Sequence, residues 1–149
     1  MFKNFSQAQV PDYIKNKDIN AKSELLVVAP ISLGELLDKI TILEIKCEHF
    51  DGIKLMNTHK ELEALRGNLE KLKIDIDRDI IKMLKEINRS LWKIEDDIRN
   101  KDQLKEFDET FIQLARSVYQ QNDRRAAIKR EINASYGSAF VEEKSYKDY

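Results

Sequence analysis

The chain has 149 residues, with 26 Lys and Arg against 27 Asp and Glu, one Cys, four Gly and two Pro. That length suits one domain and excludes most two-domain enzymes. A net charge of −1 exerts no general pull on nucleic acid or an anionic membrane. Hydrophobic residues, 42% of the total, suffice for a core without a disulfide or metal staple, and 36% charged residues point to long, charge-coated helices.

Residues 1–24 are polar and irregular and are expected to form an N-terminal extension, with residues 25–149 a single helical domain. The opening MFKNFSQAQV has no apolar core and does not read as a secretory leader. The apolar run from Leu25, ended by Pro30, falls far short of the ~20 residues a membrane span needs. It reads as an extended apolar arm lying on the helices.

No proline follows Pro30. Ser32-Leu33-Gly34-Glu35 reads as a capping box that opens a first helix. One face of that helix carries Leu33, Leu36, Leu37, Ile40, Leu43 and Cys47, and another carries Ile42 and Ile45. Two apolar faces predict the central helix of the domain, ended by Asp51-Gly52. A second helix over about 53–74 repeats Leu55, Leu62 and Leu69 every seven residues, with Leu65 and Leu72 between them. A third, about 78–100, carries Ile80, Leu84, Ile87, Leu91, Ile94 and Ile98. The two seams are out of phase. One unbroken helix would be about 70 Å long, so a turn near Asp75, Asp77 and Asp79 is expected. A fourth helix, about 103–134 and capped by Asp102, carries Leu104, Phe107, Phe111, Leu114 and Val118. The tail holds Phe140, Val141, Tyr146 and Tyr149 and is expected to dock in part on the helices. The fold class is all-α: an antiparallel bundle of about four helices with an extended N-terminal arm and a docked C-terminal tail.

The functional reading starts where the bundle pattern fails. The fourth seam should stay apolar beyond Val118, but it meets Gln121, Asn122, Arg125 and Lys129, with Arg116 and Asp123 on the adjoining flank. Buried charges must be paired, so something must answer these groups. The third helix offers Asn88, Trp92, Glu95 and Arg99, spaced four, three and four. Lys39 and Glu44 on the first helix complete the candidate ligand-binding constellation, with Asp38 the other polar group near its apolar faces. Three accounts fit: a salt-bridge network that sets helix register, a pocket for a small anionic ligand, or a subunit interface.

No catalytic residue, metal site or cofactor follows from the pattern. Cys47 and His49 lie two apart, so their side chains diverge by about 200° on a helix. Glu35 and Asp38 have the E-x-x-D spacing with which α-helical nucleotide pyrophosphatases hold Mg²⁺, but no second acidic pair faces them. The basic run Arg124, Arg125, Lys129 and Arg130 is offset by Glu131 and acids upstream, so no nucleic-acid partner is expected. No Gly-rich phosphate loop, nucleophile elbow or H-E-x-x-H is present.

Four stretches carry a resemblance: ISLGELLDKITILEIK (31–46), NRSLWKIEDDIR (88–99), FIQLARSVYQQNDRRAAIKREIN (111–133) and GSAFVEEKSY (137–146). Together they resemble a family of short bacterial proteins known only as a domain of unknown function. The resemblance implies no activity. It does bring Glu143 and Lys144 of the tail into the same candidate site. LLDKITILEIK is also faintly similar to the long first helix of α-helical chorismate mutases, which helps build a pocket for a dicarboxylate. The functional expectation is a cytoplasmic helical binding or interaction module that forms a homo-oligomer. The alternative is a small helical enzyme or sensor for a phosphate- or carboxylate-bearing metabolite. A single Cys favours a reducing compartment.

Overall fold

The computed structural model describes residues 25–141 and 143–145. The expectations for residues 1–24, Tyr146 and Tyr149 fall outside that range. Residues 25–30 form neither helix nor strand. The helices belong to the unit 31–149. They are α1 (Leu33–His49), α2 (Gly52–Lys71), α3 (Arg78–Leu104) and α4 (Glu109–Ser135), and no strand occurs among the described residues.

The start of α1 explains how the unit is tied together. A helix opens with N–H groups that lack intrahelical acceptors. Here Ser32 Oγ accepts from Glu35 N at 3.1 Å, Asn133 Oδ1 accepts from Gly34 N at 2.8 Å, and Ser138 Oγ accepts from Leu33 N at 3.2 Å. Two of these three caps come from the far end of the chain. The capping box is only half made, because the Glu35 carboxylate turns to Lys129 Nζ at 2.7 Å. Gly34 allows α1 and α4 to meet at backbone distance. A Cβ there would lie 2.7 Å from the Lys129 carbonyl oxygen.

α1 is the central helix, packed on each of the other three, and α3 and α4 form an antiparallel hairpin. α2 rests on α1 alone and approaches neither α3 nor α4. Leu33, Leu37, Ile80, Leu84 and Ile132 form one core cluster, where α1, α3 and α4 meet. Leu36, Ile40, Leu43 and Leu62 form a second between α1 and α2, with Cys47 packed against it. From residue 93 through 125 nothing is buried.

The expected turn between α2 and α3 is present. Lys73 adopts the left-handed conformation (φ 51°) where a glycine was missing, and Asp77 Oδ1 caps α3 by accepting from Asp79 N at 2.8 Å. The other hairpin differs from expectation. α3 continues through Asp102 to Leu104 and stops where Lys105 turns left-handed. α4 starts six residues later than 103, capped by Asp108, whose Oδ1 accepts from Phe111 N at 3.0 Å. Leu104 and Phe107 are therefore exposed at the hairpin tip, outside α4, although the Phe107 ring still meets Phe111 edge-on with centroids 5.2 Å apart. The tail docks through polar groups. Tyr136 OH accepts from Asp77 N at 2.8 Å, and Lys144 Nζ donates to the Asn122 carbonyl at 3.2 Å, while Phe140 and Val141 stay exposed.

Candidate functional site

Gly34, Asp38, Thr41 and Ile45, spaced four, three and four, form a stripe of α1 that is buried throughout. Asp38 is only 5% exposed, so its carboxylate needs partners. Asn88 Nδ2 donates to Asp38 Oδ1 at 2.7 Å and to Thr41 Oγ1 at 3.0 Å. Thr41 Oγ1 donates to the Asp38 carbonyl at 2.9 Å. On the α4 side, Arg125 Nη1 donates to Asn88 Oδ1 at 3.3 Å, and its Nε lies 4.0 Å from Asp38 Oδ2. Both ends of the Asn88 amide are thus used, one toward an acid and the other toward a base. The network joins three helices and holds the Arg125 guanidinium from behind.

In front of Arg125 lies a cleft of about 520 Å³, within the ~300–1,000 Å³ typical of small-molecule sites. α1 lines it with Ile42 and Lys46, α3 with Asn88, Leu91, Trp92, Glu95, Asp96 and Arg99, and α4 with Asn122 and Arg125. Glu95 and Arg99 pair along α3 at 2.9 Å. Lys46 forms no ion pair with a described residue. The Trp92 ring is steadied by His49, centroids 4.8 Å apart, and by the edge of Phe50 at 6.0 Å. Among the described residues no group of three or more His, Cys, Asp or Glu is placed to hold a metal ion.

Six of the sequence candidates meet in this cleft: Asn88, Trp92, Glu95, Arg99, Asn122 and Arg125. Lys144 reaches its rim through the Asn122 carbonyl. The others lie elsewhere. Lys129, 6% exposed, belongs with Glu35 at the start of α1. Lys39 and Glu143 are exposed, and Asp123 is half-buried outside the cleft. Arg116 is exposed, with its Nε 3.4 Å from Tyr119 OH.

Glu44 belongs to a separate ladder of ion pairs. Its carboxylate meets Lys85 at 2.7 Å and Arg66 at 2.9 Å, and Glu48 continues the ladder to Lys85 and Arg89. Burial pushes the Glu44 pKa up, but the hydrogen bonds and charges of Lys85 and Arg66 outweigh it, so the carboxyl sits below its ordinary value. The same pairs, working against burial, hold Lys85 above its own.

Reasoning from sequence missed Lys46, Asp96, Ile42 and Leu91 in the cleft; behind it, Asp38 was noted but left out of the constellation and Thr41 was missed. A signal for the last two was available. Polar residues at helical spacing between Gly34 and Ile45 share a face with buried groups and must answer something. Lys46 carries no such mark, because one lysine at the edge of an apolar face looks like any solvated lysine.

A family model described as "Family of unknown function (DUF6165)" matches residues 27–149. The chain belongs to that family. No curated protein and no solved structure matches the chain. The matched span takes in all four helices, the Asp38–Asn88–Arg125 network and the cleft, so the DUF6165 unit is the whole helical unit with its tail. No described helix of this family member is long and apolar enough to cross a membrane.

Proposed function

We propose that the chain is a helical binding module whose cleft between α1, α3 and α4 receives a small molecule bearing a carboxylate or phosphate. One observation carries the reading: the cleft presents Arg125, positioned from behind by Asn88, beside a lysine, Lys46, that has no described ion-pair partner. A guanidinium held in place loses little freedom when it binds an oxyanion. Trp92, Leu91 and Ile42 supply the apolar surface that the rest of a ligand needs.

The experiment is a thermal-unfolding screen with inorganic phosphate, phosphate esters and small mono- and dicarboxylates, paired with emission from Trp92, the only tryptophan in the sequence. A compound at a hundred times its Kd stabilises by about 2.7 kcal/mol, equivalent to a rise of roughly 5–10 °C for a chain of this size. Lys46→Ala, at the cleft edge and outside the buried network, is expected to abolish most of that shift. A screen that moves nothing, or a Lys46→Ala variant that responds like the parent, defeats the reading.

The preorganised Arg125 also supports a second reading, in which the site acts on its ligand as an enzyme or senses it, since fixed cations stabilise developing negative charge. Turnover of a compound found by the screen separates the two. The partner reading is a homo-oligomer in the cytoplasm. A lone, half-buried Cys47 supports the compartment, and the thin packing of the α3–α4 hairpin supports self-association.

A further inference from the structure

We infer that the cleft takes a small zwitterion, a molecule with both a carboxylate and a protonated amine, and that Asp96 receives the amine. The inference rests on the reading of the cleft as a small-molecule site and narrows its ligand from any small anion to an amino-acid-like one.

The charges around the cleft come close to balance. Arg99 is matched by Glu95 at 2.9 Å. Arg125 has the buried Asp38 carboxylate behind it, with Nε 4.0 Å from Oδ2. Lys144, at the rim, donates to the Asn122 carbonyl. What is left over is one charge of each sign. Lys46 comes from α1 and Asp96 from α3, and neither has an ion-pair partner among the described residues. Lys46 is half-buried, so its ammonium has given up part of its hydration without gaining a counter-ion.

A cleft with spare cations alone would suit phosphate or a dicarboxylate. Here a second negative group on the ligand would meet Asp96 and Glu95, which line the same wall. An ammonium group at that wall meets opposite charge instead. Trp92 lies four residues before Asp96 and three before Glu95, so its ring shares their face of α3. An aromatic ring beside carboxylates is the chemistry that holds a cation. The carboxylate end of the ligand goes to Lys46 and to Arg125, whose guanidinium donates to Asn88 Oδ1 at 3.3 Å and is held in place by it. The two ends of the ligand are thus sorted by helix, the carboxylate toward α1 and α4 and the amine toward α3. Ile42 and Leu91 offer apolar surface to the carbon chain that joins them.

The test titrates the full chain and follows Trp92 emission and melting temperature. The probes are inorganic phosphate, the protein amino acids, and ω-amino acids from glycine to 6-aminohexanoate. Each amino acid is run beside the acid that lacks the amine and the amine that lacks the acid. The best amino acid is expected to bind tighter than either analogue by about tenfold or more, the loss that removing one charged contact brings. Asp96→Asn should erase the preference over the plain acid and leave affinity for the plain acid itself unchanged. Its far-UV spectrum should hold, because Asp96 is exposed. Asp97→Asn, next in the chain but paired with Lys93 and outside the cleft, should change neither affinity. Asp96→Lys should turn the preference from 4-aminobutanoate to glutarate, its counterpart with a second carboxylate. A parent chain that binds phosphate or the plain acids as tightly as the amino acids overturns this inference and leaves the cleft an anion site. A preference for amino acids that survives Asp96→Asn overturns the role given to Asp96. A chain that binds none of these compounds overturns the inference together with the reading on which it rests.

Discussion

At one end of the α3–α4 pair the two helices bury Leu84, Leu91, Ala126 and Ile132. At the other, from residue 93 through 125, they bury nothing. The apolar content differs little, since Ile94, Ile98, Leu114 and Val118 keep the period going. What differs is α1. Where it lies across the pair, three helices enclose a volume; beyond Trp92 two helices share only a line. The cleft sits at the boundary, where the third layer runs out and Arg125, Lys46 and Trp92 edge an unfilled space. Burial in this protein is set by how many layers pass a position, and the candidate site is the place where that number changes.

Paired substitutions sharpen the contrast. Leu84→Ala, at a position with no exposed surface, is expected to cost about 2–5 kcal/mol in urea unfolding. Gly34→Ala comes next, at about 1–3 kcal/mol, because the new methyl meets a backbone carbonyl at 2.7 Å that cannot swing aside. Ile98→Ala, in the two-layer region, should cost only about 1 kcal/mol, as expected for a half-covered side chain. If Ile98→Ala costs as much as Leu84→Ala, the hairpin is as tightly packed as the body and the comparison breaks.

The smallest effect concerns pH. Glu44 has its pKa depressed by Lys85 and Arg66, so its contribution to stability is complete above the unfolded-chain value near about 4.3. It is lost as the pH falls through the lower folded value. Glu44→Gln should therefore flatten the acid limb of a stability-versus-pH curve and leave the slope between pH 6 and 8 unchanged. An unaltered acid limb would show that the ladder does not couple to folding.

Periodicity made much of this architecture readable. α1 as the central helix followed from its two apolar faces, and the break before α3 followed from seams that fall out of phase. The interruption at Asn122, Arg125 and Lys129 marked an inward-looking polar stretch of α4, and Asn88 and Trp92 marked its counterpart on α3. Three placements were not readable. α4 begins at Glu109 because Lys105, a residue with no special turn chemistry, takes a left-handed backbone. Lys129 and Arg125 separate, one to Glu35 and the other to Asp38, because residues four apart on α4 meet different turns of α1. Lys46 enters the cleft because α1 packs on both α3 and α4.

Local chemistry, then, determined that helices form, which residues repeat on a face, and which positions violate the repeat. Those properties depend on neighbours a few residues away, and the order of the amino acids carries them directly. Which violations meet, and around what space, was decided only when α1 crossed α3 and α4. Partners such as Glu35 with Lys129, or Gly34 with Asn133, stand more than ninety residues apart, and no local rule reaches that far.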